Sequence, residues 1–231
     1  MPLEPRPRVL LAWSSGKDSA WTLHVLRQSS DVEVVALLTT FNRESDRVAM
    51  HAVRRELVEA QAQAAELPLI HVPLPWPCSN GDYEAAMATA LTRVRAEHAI
   101  SHVAFGDLFL EDVRQYRESR LRDTGLMPLF PLWGLPTSAL ARDMVRGGLQ
   151  AQITCVDPRQ LDPAFAGRSF DNDFLDDLPE GVDPCGEHGE FHSFAYAGPM
   201  FAKPIPIQVG QVVTRDGFVF ADLFHSRMMD E

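Results

Sequence analysis

The apolar run Val9-Leu10-Leu11-Ala12-Trp13 passes without a break into Ser14-Ser15-Gly16-Lys17-Asp18-Ser19, and this junction restricts the fold more than any other stretch. Five consecutive apolar residues read as a strand buried on both faces, the kind found in parallel sheets covered by helices. The small hydroxyl and glycine residues that follow make a turn into a helix predicted at 17–27. Such a turn aims backbone N–H groups and the positive end of a helix dipole at one point, so a phosphate loop is expected, against the plainer reading of a capped strand-to-helix turn. Lys17 adds a point charge and is expected to sit exposed in the loop. Ser14, Ser15 and Ser19 supply hydroxyls, and Asp18 a carboxylate for a magnesium ion or a helix cap. Neither G-x-x-x-x-G-K-[ST] nor G-x-G-x-x-G occurs, so the loop is of another type.

Downstream, strand and helix alternate. Strands are expected at 33–40, 69–72, 102–105 and 127–130, with a sixth strand at 150–156. Val53, Leu57, Ala60 and Ala64 recur at helical spacing and predict a helix over 50–66. Further helices are expected at 81–98, opened by Gly81-Asp82, at 111–123, and at 137–146, closed by Gly147-Gly148. This order predicts an α/β fold with a doubly wound, mostly parallel sheet. Ligands in such folds bind beyond the carboxyl ends of the strands, where the loop, Thr39-Thr40-Phe41 and Gly106-Asp107 would converge. After Asp157 the chain is turn-rich, with a short helix expected at 171–178 and strands containing 191–196 and 209–220. The predicted division is therefore 1–157, a nucleotide-binding domain, and 158–231, a smaller C-terminal α+β lobe for the substrate.

Within that lobe, Cys185-Gly186-Glu187-His188-Gly189-Glu190-Phe191-His192-Ser193-Phe194 is dense in carboxylates, imidazoles and glycines. An extended conformation would place Glu190 and His192 on one face, ready to meet a substrate together. His188, Glu190 and His192 also have the alternation of metal ligands, but no further ligand set accompanies them. His24, His51 and His71 read as structural. A formal net charge of −11 argues against DNA or an anionic membrane as partner. Residues 1–8 have no apolar leader core and no later segment approaches a membrane span, so a cytoplasmic protein is expected. Cys78, Cys155 and Cys185 form no C-x-x-C pair, and reduced thiols are expected.

The loop resembles the S-G-G-K-D-S signature of the N-type ATP pyrophosphatases, with Ser15 in place of the first glycine. Gly106-Asp107-Leu108-Phe109 with Arg114, Arg117 and Glu118 follows in order, then Pro131-Leu132-Trp133-Gly134, then Glu187-His188-Gly189-Glu190 and the Gly198-Pro199 turn. Together they resemble the diphthine-ammonia ligase family over most of the chain. The resemblance implies an adenine nucleotide alpha hydrolase-like domain that binds ATP and Mg2+. It implies an enzyme that adenylates a carboxylate, releases pyrophosphate, and then forms an amide with ammonia. Ser14, Ser15, Gly16, Lys17, Asp18, Ser19, Thr39, Gly106 and Asp107 would contact the nucleotide, Asp18 and Asp107 the magnesium. Lys17 and Asp18 would act with Glu187, Glu190 or His192 in catalysis, Glu190 being the first candidate to take the ammonium proton. The family's E-G-G-E-[FY]-E-[ST] reads here with histidine at 188 and 192, which resembles a bacterial-type branch. The acceptor is accordingly a modified elongation factor bearing diphthine, or a small metabolite such as a corrinoid acid. Two other readings are a tRNA thiolase using Cys78 and Cys185, and a non-catalytic adenine-nucleotide sensor. A strand bearing Phe218, Phe220 and Phe224 is the candidate surface for a homodimer.

Overall fold

The computed structural model describes residues 6–48 and 53–226. The first sheet comprises β1 (Arg8–Ala12), β2 (Glu33–Asn42), β3 (Arg47–Val48), β4 (Leu69–Leu74), β5 (His102–Ala104) and β6 (Met127–Leu129). Five of these run parallel in the order β4-β2-β1-β5-β6, and β3 pairs antiparallel with the end of β2. The chain starts at the centre, winds out to β4, crosses back and winds out to β6, which puts the topological switch between β1 and β5. Helices α1 (Lys17–Gln28) and α2 (Arg55–Ala64) cover one face, and α3 (Asn80–His98) and α4 (Glu111–Leu121) the other. Val9 and Leu11 join the core beneath the first pair, whereas Leu10 joins the core beneath the second. That double burial is why β1 has an unbroken apolar centre.

The C-terminal lobe comprises α5 (Thr137–Arg146), β7 (Gln150–Val156), α6 (Asn172–Asp177), β8 (Phe191–Ala197), β9 (Ile207–Arg215) and β10 (Phe218–His225). Its four strands form an antiparallel sheet in the order β8-β7-β10-β9. Asp216 and Gly217, both at positive φ, make the two-residue turn of the last hairpin. Phe174, Phe191 and Phe194 of this lobe share one core with Leu23 of α1 and Leu57 of α2. The second sheet thus packs on the α1/α2 side, with β8 brought to the phosphate loop.

Three expectations are corrected. The strand at 150–156 is not a sixth strand of the parallel sheet, because it pairs antiparallel with β8 and β10. A strand buried on both faces reads alike in either sheet. The helix expected over 50–66 starts at Arg55; Arg54 is extended and the Val53 carbonyl accepts a hydrogen bond from the Val48 N–H, while Met50 and His51 lie outside the described residues, as does 1–5 of the N-terminal stretch. Phe218, Phe220 and Phe224 lie on β10, which is paired on both sides, so the edge strands of this sheet are β8 and β9. Among the described residues no helix is long and apolar enough to cross a membrane.

Candidate active site

The loop between β1 and α1 is a closed turn whose polar groups are mutually engaged. Ser14 Oγ donates to Ser19 Oγ at 3.1 Å, Ser19 Oγ lies 3.0 Å from the Gly16 carbonyl it donates to, and the Gly16 N–H donates to Ser14 Oγ at 3.3 Å. Ser15 occupies the left-handed region at φ 70°, the conformation a glycine adopts without cost, and is fully buried. Its Oγ has no hydrogen-bond partner among the described residues. Thr39 is buried, its hydroxyl committed to the Trp13 carbonyl at 2.7 Å, so it ties β2 to the loop's entry. Gly106 lies where a Cβ would be 3.1 Å from the Asp18 carbonyl carbon and the Ser19 nitrogen, which explains a glycine at the end of β5.

Lys17 is not the exposed lysine its loop position suggests. It is 2 % exposed, with Nζ held by both Asp18 carboxylate oxygens, at 3.0 and 2.8 Å, and by the Cys185 carbonyl. The rings of Phe170 and Phe191 lie 5.6 and 5.3 Å from the ammonium. The Lys17 N–H donates to Ser193 Oγ at 3.2 Å. Burial comes from the C-terminal lobe, which the sequence could not place over the loop. Burial is the strongest influence and disfavours the ammonium, but Asp18, Cys185 and Asp183 together outweigh it and the Lys17 pKa lies above its ordinary value. Burial also holds the Asp18 carboxyl above its ordinary value, against the pull of Lys17.

The segment 183–193 bridges both strand-end loops. Glu187 Oε1 accepts from the Leu108 N–H at 2.8 Å and the Phe109 N–H at 3.4 Å, while Cys185 and Ser193 reach the phosphate loop. Asp183 Oδ2 accepts from the Glu187 N–H and Glu190 Oε1 from the Asp183 N–H, both at 2.9 Å. Glu190 is therefore a buried brace of this turn, and its Oε2 has no hydrogen-bond partner among the described residues. Burial, reinforced by Asp18 and Asp107, pushes the Glu187 carboxyl up to about 7. Burial and the Lys17 charge push His192 down to about 4, leaving it neutral where the family motif carries an acid. His188 is exposed, its ring centroid 5.2 Å from that of Phe109 in an edge-on arrangement. The Cys185 thiol is buried and pushed well above its ordinary value, which disfavours nucleophilic thiol chemistry there.

Asp107 pairs with Arg117 at 3.4 Å, and Asp18 with Lys17. Among the described residues no group of three or more His, Cys, Asp or Glu side chains is set to hold a metal ion. The donor set still suits magnesium bridged to phosphate, since that ion takes one or two carboxylates and the phosphates supply the rest. Arg114 pairs with Glu118 at 2.8 Å and stacks over Phe130 and Trp133, while the Gly134 N–H donates to the Leu108 carbonyl. The two middle motifs are thereby one surface. Beside them a cavity of about 550 Å³ opens between α3 and α4, its wall including Ala12, Leu38, Tyr83, Phe105 and Tyr116.

Sequence reasoning did not single out Gln61, Asp183 or Ser193. Ser193 closes the motif already quoted; Gln61 is a polar residue on the buried stripe of α2, beside Leu57 and Val58.

A doubly wound sheet with a hydroxyl-rich phosphate loop, closed by an acidic turn from a second lobe, defines a two-lobed nucleotide-binding α/β protein. Residues 7–128 match the family described as diphthamide synthase N-terminal domain, and residues 136–221 its C-terminal domain. The chain belongs to this diphthine-ammonia ligase family. It is 26 % identical over 245 residues to the diphthine--ammonia ligase of Bos taurus, spanning 96 % of this chain and 91 % of that protein. The Danio rerio protein of the same name is 28 % identical over 234 residues, with 93 % and 91 % covered. The Schizosaccharomyces pombe one is 27 % identical over 223 residues, 89 % of this chain and 37 % of that longer protein.

Proposed function

We propose that this protein is an ATP-dependent ligase that amidates a carboxylate with ammonia, with diphthine on a modified protein as the acceptor. The observation that carries this reading is the acidic turn at 183–193 seated across both strand-end loops, with the Cys185 carbonyl on Lys17 of the phosphate loop and the Glu187 carboxylate on the Leu108 N–H of the other. Lys17 and the loop N–H groups would hold the β and γ phosphates, and the apolar cavity beside Ala12 and Phe105 would take the adenine. Asp18 and Asp107 are the residues that would hold magnesium, which would neutralise phosphate charge. The acceptor carboxylate, already ionised at neutral pH, attacks the α phosphorus and pyrophosphate leaves; alignment more than base catalysis sets that rate. Ammonia then attacks the acyl carbon and AMP leaves, the ammonium having first lost a proton. Glu187, whose carboxyl titrates near neutrality and faces the loops, is better suited to accept it than buried Glu190, which braces the turn. The shared name of the relatives supports diphthine over a small acid, and an enzyme over a sensor.

The test is pyrophosphate and AMP release from magnesium ATP and ammonium, with diphthine-bearing elongation factor and a panel of small carboxylates. Release is expected with the diphthine substrate, dependent on ammonium and abolished in Lys17→Met. ATP binding without release on any acceptor would overturn the reading.

A further inference from the structure

We infer that Gln61 is the positioning residue of the phosphate loop, holding the Ser15–Gly16 peptide in the orientation that binds phosphate. Its amide is fully buried at the meeting point of three elements. Nε2 donates to the Ser15 carbonyl at 3.0 Å and to the Ala195 carbonyl of β8 at 2.6 Å, and Oε1 accepts from Trp13 Nε1 at 2.8 Å. The Ala195 N–H donates to the same Ser15 carbonyl at 3.0 Å. Two donors thus converge on one carbonyl of the loop.

The consequence follows from peptide planarity. The Ser15 carbonyl and the Gly16 N–H belong to one rigid trans unit and point in opposite directions. Pinning the carbonyl to α2 and β8 therefore aims the N–H into the loop, where Ser14 Oγ now receives it. Ser15 gives no help of its own, since it carries a Cβ at φ 70° and its hydroxyl has no partner among the described residues. The strained turn is held from outside, and among the described residues Gln61 is the side chain that donates to the Ser15 carbonyl. Trp13, the last residue before the loop, fixes which way the amide faces.

This rests on the reading that the loop grips ATP phosphates, so the experiment separates the two. Calorimetric affinity for a non-hydrolysable ATP analogue is measured on the whole chain for wild type, Gln61→Met, Ser15→Gly and the double variant. Gln61→Met removes the amide N–H groups that reach the Ser15 and Ala195 carbonyls, at similar volume, leaves only the Ala195 N–H on the Ser15 carbonyl, and is expected to weaken binding at least tenfold. Ser15→Gly alone is expected to stay within threefold of wild type. In the double variant most of the lost affinity returns, because glycine adopts the turn without being held. A side chain that only filled the α2 core would lower the melting temperature without this selective rescue. Should Gln61→Met not fold, Trp13→Phe, which keeps the amide but unlocks its orientation at some cost in core packing, takes its place, with at least threefold weakening and the same rescue expected. Wild-type affinity in the folded variant, or a loss that Ser15→Gly does not restore, overturns the inference. A wild-type protein that binds no analogue overturns the phosphate-loop reading itself.

Discussion

Lys17 has more to lose than a loop lysine ordinarily would, because it is buried against a carboxylate and a carbonyl that depend on it. Truncation strands the Asp18 carboxylate and the Cys185 carbonyl; breaking a fully buried pair costs about 3–5 kcal/mol. Asp18 retains 27 % side-chain exposure, so about 2 kcal/mol is expected for Lys17→Met, a fall of roughly 4–8 °C in melting temperature at this size. Adding Asp18→Asn should restore most of that stability and none of the pyrophosphate release. A single variant with unchanged melting point would refute the ion-pair account, and release restored in the double variant would refute the catalytic one. Glu187 and His192 pull the pH dependence of stability in opposite directions. Glu187 titrates near 7 in the folded protein against an ordinary value of 4.5, so its contribution is full below 4.5 and is lost as pH rises through 7. His192 titrates near 4 against 6.5, so its contribution is present above 6.5 and is lost as pH falls through 4. Glu187→Gln, which keeps an acceptor for the Leu108 N–H, should expose the histidine slope, with melting temperature rising from pH 5 to 7 more steeply than in wild type. A parallel pair of curves would show that Glu187 does not titrate there.

The joint between β5 and α1 is the element-level feature on which the site turns. Gly106 lets the strand end approach the first turn of the helix, and a methyl there meets backbone, which cannot give way as a side chain can. Gly106→Ala is expected to cost about 1–3 kcal/mol by overpacking, and to weaken ATP binding by moving Asp107 away from Asp18. Thermal melts and analogue affinity measured together check this; intact affinity at reduced stability would mean the joint does not set the site. Much at this scale was legible in the sequence. The loop, the helix after it and the alternation of strands and helices follow from local patterns, since a buried run, a glycine and a helical stripe each act over a few residues. The start of α3 shifts only from Gly81 to Asn80, because Ser79 and Asp82 form a capping box. What was not legible depends on pairing across long separations. The sheet that receives β7, the carbonyl of Cys185 over Lys17, and the amide of Gln61 beneath Ser15 leave no local trace, because any buried strand or polar core residue reads the same whichever partner it finds.

At the scale of the whole molecule, the two sheets are not independent. Phe174, Phe191 and Phe194 of the second lobe belong to the same buried core as Leu23 of α1 and Leu57 of α2. Polar ties reinforce the joint. Asp222 of β10 accepts from Arg47 at 2.9 Å and Arg54 at 2.6 Å, Arg27 of α1 donates to the Met200 carbonyl at 2.8 Å, and the Ala202 N–H donates to Ala64 at 2.7 Å. A cut after residue 157 would leave β7 with neither β8 nor β10 and expose a continuous apolar face. The whole chain is therefore expected to unfold in one urea transition, with far-ultraviolet circular dichroism and tryptophan fluorescence superimposing, since Trp13 and Trp21 sit in the shared core. The fragment 1–157 is expected to show no cooperative transition and to bind a hydrophobic dye. Two separated transitions in the whole chain, or a fragment that melts sharply and binds the ATP analogue, would mean that the acidic turn docks onto a finished nucleotide domain. Coincident transitions would mean that the site and the fold are completed by the same contacts, so that a variant loosening the second lobe weakens ATP binding even where it touches no residue of the loop.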